Sequence, residues 1–202
     1  MSSNEPTVVV ATSNPGKARE FAQLLPEGIR ILSLRDIGAV APPETGATFL
    51  ENATIKALAA SQQTDYVVIA DDSGICVDVL DGAPGIHSAR YAGEHATDEE
   101  NRNKLLSQLE GVHAADRGAH FQAAVVVAHN NNVITFAEGR IDGAVATYVR
   151  GENGFGYDPL FLLPDARTMA EVDNFEKNQI SHRARATHQV LPVLLEAIGK
   201  PD

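Results

Sequence analysis

Two carboxylates stand side by side at the end of an apolar run: Tyr66-Val67-Val68-Ile69-Ala70 leads directly into Asp71-Asp72-Ser73-Gly74. Burying an unpaired carboxylate is costly, so acids in such a place pair with a cation or shift their pKa. The simplest cation for an oxygen-only pair is a divalent metal, and Mg²⁺ suits one or two carboxylates completed by phosphate oxygens. The competing reading is a strand that ends in a turn, because Asp, Ser and Gly are all good turn residues. From this segment alone both readings stand.

Four further constellations bear on the choice. Thr12-Ser13-Asn14-Pro15-Gly16-Lys17 lies between a strand-like and a helix-like segment. Asn14 suits a helix cap and Pro15 the first helical position. Free N–H groups at such a start bind phosphate, and Ser13, Asn14 and Lys17 add donors. A cation at the positive end of a helix is disfavoured without an anion nearby, so capping alone leaves Lys17 unexplained. Downstream, Glu44-Thr45-Gly46 precedes a helical stretch on which Asn52 and Lys56, four apart, share a face. Taken by itself, Lys56 beside an apolar stripe reads as a snorkelling lysine. Its alternative is an ammonium aimed at a carboxylate or phosphate.

Gly154-Phe155-Gly156-Tyr157-Asp158-Pro159 flanks an aromatic with glycines and follows it with an acid, a pattern suited to a flat ligand with N–H edges. A turn around one buried ring is the plainer account. Lys177, His182 and Arg183 then gather cations near a helix start in a chain of formal charge −11. An anionic ligand explains such a cluster, while a solvated basic face would fit Arg185 better.

The acidic balance opposes binding to long nucleic acid. It leaves room for one small anion in a locally basic cleft. The one cysteine, Cys76, excludes an intramolecular disulfide and reads as a packed strand thiol. No apolar run reaches membrane-spanning length, and Met1 to Pro6 holds no basic segment followed by an apolar one. A soluble cytoplasmic protein without a membrane partner is therefore expected.

The elements that must position these residues follow from periodicity. Thr7–Ala11 reads as a buried strand, residues 15–25 as a helix and 29–34 as a second strand. A helix is expected over about 48–62, with capping-box spacing at Thr48 and Glu51. Residues 66–70 and 75–80 read as two strands of a hairpin around the Asp-Asp-Ser-Gly turn. Thr97 and Glu100 repeat the capping-box spacing ahead of a helix to about Leu109. Strands are expected over 119–128, 133–138 and 142–150, with Asn130-Asn131-Asn132 as a turn. Ser181 caps a last helix toward Gly199, which Pro192 should kink. Hairpins mixed with crossovers predict an α/β protein with a mixed sheet.

In order along the chain, these segments resemble the non-canonical purine nucleoside triphosphate pyrophosphatases, the inosine triphosphatase family. The resemblance runs from Val8 to about Ile198 and is strongest over Ala11–Lys17, Glu44–Lys56, Ala70–Gly74 with Gly82–Tyr91, Gly154–Phe161 and Ile180–Arg183. It implies a single domain over residues 1–202. The implied fold is an elongated mixed sheet with flanking helices, in two lobes around a central substrate cleft, typically as a homodimer. It further implies Mg²⁺-dependent hydrolysis of ITP, dITP and XTP to the monophosphate and pyrophosphate, which cleanses the nucleotide pool.

Carried over by position, Asp72 matches the general base and a metal-linked carboxylate, and Glu44 the acidic Mg²⁺ partner. Asp71, Asn14, Lys17 and Lys56 fall in the phosphate and metal region, with Lys56 catalytic beside Asp72 and Asp71 a third metal candidate. Thr12, Ser13, Pro15, Gly16 and Ser73 match substrate contacts. Phe155, Gly156, Tyr157 and Asp158 match the base pocket, and Lys177, His182 and Arg183 the far wall of the cleft. Pro43 stands where many relatives carry a second acid, and Cys76 and His87 replace commoner apolar or aromatic residues. Two rivals remain: a pyrophosphatase for canonical or otherwise modified nucleotides, and a non-catalytic nucleotide sensor. The sensor would not need Glu44, Asp71 and Asp72 together.

Overall fold

The β-branched run Val8-Val9-Val10 is almost wholly buried and forms strand β1 (Thr7–Val10). The computed structural model describes residues 5–199. Parallel neighbours flank β1: β2 (Arg30–Ser33) pairs Leu32 with Val9, and β3 (Val67–Val77) pairs Val68 with Val9. Parallel pairing requires crossovers, and helices α1 (Pro15–Leu24) and α2 (Phe49–Ser61) supply them. β4 (Gly118–His129) and β5 (Asn132–Val145) are joined through Asn130 and Asn131, both left-handed at φ +49° and +59°. Two left-handed central residues are what a tight hairpin turn demands. A short β6 (Phe161–Leu162) pairs antiparallel with the end of β5. The sheet order β2-β1-β3-β4-β5-β6 is thus mixed, as expected.

Helix α3 (Asp98–Gln108) starts with the Thr97/Glu100 capping box, and α2 starts on the Thr48 hydroxyl. Two helices close the chain, α4 (Asn174–Ile180) and α5 (His182–Gly199). Pro192 lies inside α5 and does not end it.

Three expectations are corrected. The hairpin at 66–80 is one uninterrupted strand, and Asp71 to Gly74 lie in its middle. Turn propensity is local and loses here to packing. A Cβ on Gly74 would sit 2.3 Å from both Gly85 O and Ser88 Oγ, so this glycine serves close approach, not a turn. The strands expected at 133–138 and 142–150 are one strand that stops at Val145. At Gly143 of that strand a Cβ would lie 2.2 Å from Leu162 O, which explains a glycine inside it. The third concerns β6 and α4, which were not anticipated: both are too short to show a period.

The chain divides into two compact units. Of the described residues, the first comprises 5–72, 123–139 and 183–199, and the second 73–122 and 140–182. The first is built on Val8, Val10, Phe21, Ile69, Val125, Val127, Val190 and Leu194. The second is built on Ile75, Leu105, Leu109, Phe121, Tyr157, Leu160, Phe161 and Met169. Cys76 is packed in β3, as its surroundings predict.

Candidate active site

The first unit holds a chain of alternating charges. It begins where α1 begins. Asn14 Oδ1 accepts from the N–H groups of Gly16 at 2.7 Å and Lys17 at 3.2 Å. Thr12 Oγ1 accepts from Asn14 N–H at 3.1 Å. The strand-to-helix turn is thereby fixed, with Pro15 in the first turn and Ser13 exposed beside it. Lys17, in that same turn, carries its ammonium to 3.3 Å from Asp71 Oδ2 and 3.9 Å from Asp72 Oδ1. The anion that a cation at this helix end requires is built into the chain.

Lys56 does not snorkel. It is 8% exposed, and its ammonium lies 2.8 Å from Glu44 Oε1 and 2.9 Å from Asp72 Oδ1. Two carboxylate oxygens thus converge on one cation position. Asn52, one helical turn earlier on α2, donates to Asp72 Oδ2 at 3.2 Å. Its own carbonyl oxygen accepts from Gly46 N–H at 2.8 Å. A Cβ on Gly46 would come within 2.8 Å of that oxygen, which accounts for the glycine after Glu44-Thr45.

Arg183 departs furthest from expectation. The sequence groups it with Lys177 and His182 as one basic patch toward an anionic ligand. Instead it is 1% exposed, and its Nε and Nη2 donate to Asp71 Oδ2 at 2.9 and 2.8 Å. Its Nη1 donates to Glu20. Glu20 was missed, although it sits one turn after Lys17 on α1 and that spacing could have pointed to it. The physical reason is burial: a guanidinium in an apolar setting must be satisfied from within the chain.

These partners separate two adjacent acids chemically. Burial opposes ionisation of Asp71, but Arg183 and Lys17 overcome it and hold its carboxyl well below the usual range. Asp72 is pushed up, because burial and the nearby Glu44 outweigh the pull of Lys17 and Lys56. Burial lowers Lys17. Burial also opposes the charge on Lys56, yet Asp72, Asp71 and Glu44 together raise it. The two adjacent acids are thus pulled in opposite directions, Asp71 toward its charged form and Asp72 toward its neutral one. The cluster sets four carboxylates (Glu20, Glu44, Asp71 and Asp72) against three cations (Lys17, Lys56 and Arg183). Asp71 Oδ1 is buried without a hydrogen-bond partner among the described residues. Among the same residues, no three His, Cys, Asp or Glu side chains form a ready-made metal shell.

The second unit holds the remaining expected residues. Ser73 is half-buried on β3. In the 154–158 loop, Phe155 N–H donates to Asp158 Oδ2 at 2.8 Å, and Lys177 Nζ donates to the same oxygen at 2.5 Å. Lys177 Nζ also lies 5.2 Å from the centre of the Phe155 ring. A Cβ on Gly154 would strike Asp158 at 2.0 Å, and its φ of +75° is left-handed, so glycine is required there. Tyr157 hydroxyl donates to Ser88 O at 2.9 Å. Burial pushes that phenol far above its usual range. His182 stacks on Phe121, centroids 4.7 Å apart at 16°. The expected basic patch is thus three differently held side chains: Lys177 on Asp158, His182 on Phe121 and Arg183 on Asp71. Arg185 is exposed, in line with a solvated face.

Residues 8–193 match the sequence model of the Ham1 family. The dITP/XTP pyrophosphatase of Geobacillus kaustophilus is 52% identical over 195 residues, covering 95% of this chain and 96% of its own. That of Bacillus licheniformis is 49% identical over 193 residues, with 94% and 98% covered. A solved structure of a HAM1 protein from Coxiella burnetii superposes with a TM-score of 0.84 at 42% identity, covering 95% of this chain and 99% of that one. Alike in sequence and in fold along nearly its whole length, the chain belongs to the Ham1 family.

Proposed function

We propose that this chain hydrolyses non-canonical purine nucleoside triphosphates, dITP, ITP and XTP, to the nucleoside monophosphate and pyrophosphate. The observation that carries the mechanism is the pairing of a pushed-up Asp72 with Lys56, Lys17 and Asn52 in one buried cluster. Asp72 orients a water and takes its proton as the oxygen attacks the α-phosphorus. The bond to the bridging oxygen breaks, and that oxygen leaves with pyrophosphate. Lys17 and Lys56 hold the triphosphate, with Thr12, Ser13, Asn14 and Gly16 shaping the turn that carries Lys17. Phosphoryl chemistry of this kind depends chiefly on positioning and charge neutralisation.

The cluster suits Mg²⁺. Its donors are all oxygens, its carboxylates outnumber its cations, and Glu44 and Asp72 already converge on one positive charge. Glu44 and Asp72 would hold the ion. Asp71 would offer only Oδ1, since Oδ2 is bonded to Arg183. Bound there, Mg²⁺ supplies charge neutralisation at the phosphate oxygens.

Base recognition falls to the second unit in this proposal. Phe155 stacks on the purine, Asp158 accepts from its N–H edge, and Lys177 and His182 donate to the 6-oxo group. Ser73, Gly156 and Tyr157 complete the pocket. The whole chain then acts as one domain. The resemblance further implies a homodimer working in the cytoplasm, and sedimentation tests the dimer. No helix among the described residues is long and apolar enough to cross a membrane.

The test is pyrophosphate release from dITP, ITP, XTP, GTP and ATP, with and without Mg²⁺. Fast Mg²⁺-dependent release from the first three with slow release from GTP and ATP is the expected result. Equal rates on all five would overturn the base pocket and leave the catalytic cluster. Binding without release from any would make the chain a nucleotide sensor.

A further inference from the structure

α3 carries no residue assigned so far, yet it grips the 154–158 loop at its midpoint. Asp98 and Arg102 lie four apart on one helix face. Asp98 Oδ2 accepts from Gly156 N–H at 2.7 Å, and Arg102 Nη1 donates to Gly156 O at 2.7 Å. The N–H belongs to the peptide plane shared with Phe155, and the carbonyl to the plane shared with Tyr157. Holding both pins the two planes that aim the neighbouring side chains. Gly156 needs such pinning because its φ of +60° is one that glycine alone leaves freely.

The same helix face extends the grip. Asn101, 2% exposed, accepts from Ala92 N–H at 2.8 Å and donates to Ala89 O at 3.0 Å. Residues 85–90 form a tight helical turn, and Ser88 O in that turn receives the Tyr157 hydroxyl at 2.9 Å. The contacts form a closed circuit from α3 to the 85–92 segment, through Tyr157 to Gly156, and back to α3. Ser88 in turn is fixed on β3, where its Oγ accepts from Ile75 N–H at 3.0 Å.

We propose that Arg102 and Asp98 are positioning residues that set purine selectivity by fixing Gly156, and with it the orientation of Phe155 and Asp158. The proposal rests on the base-pocket reading above. Arg102 carries more of the effect, because it is half-buried and brings a charged donor to a carbonyl, whereas Asp98 is exposed.

The experiment compares the full chain with Arg102→Ala, Arg102→Lys, Asp98→Ala and Asp98→Asn. It measures kcat and KM for dITP, XTP and GTP, and inhibition by inorganic tripolyphosphate, which has phosphates and no base. Loss of a half-buried charged hydrogen bond predicts a roughly ten-fold rise in KM for dITP and XTP in Arg102→Ala. The preference for dITP over GTP should fall, with kcat changing less and tripolyphosphate inhibition unchanged. Asp98→Ala should show a smaller rise that Asp98→Asn, which keeps an acceptor, restores. Arg102→Lys, with one donor in place of the fork, should fall between the parent and Arg102→Ala. An unchanged KM in Arg102→Ala overturns the proposal, as does an Asp98→Asn variant as poor as Asp98→Ala. Equal weakening of tripolyphosphate inhibition also overturns it, since that marks general damage. Amide hydrogen exchange over residues 153–158 separates this proposal from the functional reading. Faster exchange in Arg102→Ala supports the pinning, and unchanged exchange overturns it. A parent chain that turns over no purine triphosphate overturns the reading and the selectivity role together, whatever the exchange shows.

Discussion

Replacing Arg183 with Met removes the cation on which the first unit's charge chain turns, while a chain of similar reach still fills the space. Arg183 makes two bonds to Asp71 Oδ2, at 2.9 and 2.8 Å, and one to Glu20. Asp71 is 0% exposed and Glu20 is 8% exposed, so the variant takes a cation from two carboxylates held away from water. Removing one partner of a buried ion pair costs about 3–5 kcal/mol. Lys17 remains 3.3 Å from Asp71, which places the expected loss near the low end, about 3 kcal/mol. For a chain of this length that corresponds to a fall in Tm of roughly 6–12 °C. The pH dependence carries a sign. Asp71 has a depressed folded pKa, so it contributes stability above its unfolded value of about 3.9, lost as pH falls through the folded value. In the variant, burial without Arg183 raises that carboxyl, and protonation relieves the stranded charge. The gap between the two proteins should therefore narrow as pH is lowered from 7.5 toward 4. Urea and thermal unfolding at several pH values measure it. Adding Asp71→Asn to the variant should recover part of the loss. A Tm within about 2 °C of the parent at pH 7.5 would refute the reasoning, given the several degrees that a stranded charge predicts. So would a gap that widens in acid, or a double variant no better than Arg183→Met.

Asp72→Asn should lower kcat by roughly 10²–10⁴ while the protein stays folded, because it removes the proton acceptor and keeps the shape; near-parent turnover with dITP would sink that role. Gly74→Ala places a Cβ 2.3 Å from a backbone carbonyl that cannot easily yield, so thermal unfolding should show a loss of about 1–3 kcal/mol, and a parent-like Tm would contradict the packing. Tyr157→Phe forfeits the bond to Ser88 O, with an expected loss of about 1 kcal/mol in urea unfolding; a more stable variant would show that the bond contributes nothing.

The helix starts were legible because capping is local chemistry. Asn14, Thr48 and the Thr97/Glu100 pair each cap the helix that their spacing foretold. The charged cluster was legible only as a list of residues. Arg183 finds Asp71 across 112 positions of sequence, and Lys56 finds Asp72 across 16. No propensity or period encodes such partners, so Lys56 read as snorkelling, Arg183 as a substrate contact, and Glu20 as nothing. Asn52 was placed on the right helix face, but its bond to Asp72 depends on where β3 passes.

The uninterrupted strand through Asp71 and Asp72 accounts for the different surroundings of the two aspartates. In a turn, adjacent carboxylates can bend toward one ion and remain equivalent. In a strand, successive side chains point to opposite faces. That alternation sends Asp71 to Arg183 at the start of α5 and Asp72 to Lys56 and Asn52 on α2. Lys17, from the first turn of α1, lies within 4 Å of both, which binds the two environments together. One acid consequently gains a buried guanidinium, and its charge becomes part of the fold. The other is held by two lysines and an amide. Gly74 lets β3 run on against Ser88 without turning. Backbone continuity at a glycine thus places neighbouring residues of one type in two different electrostatic environments.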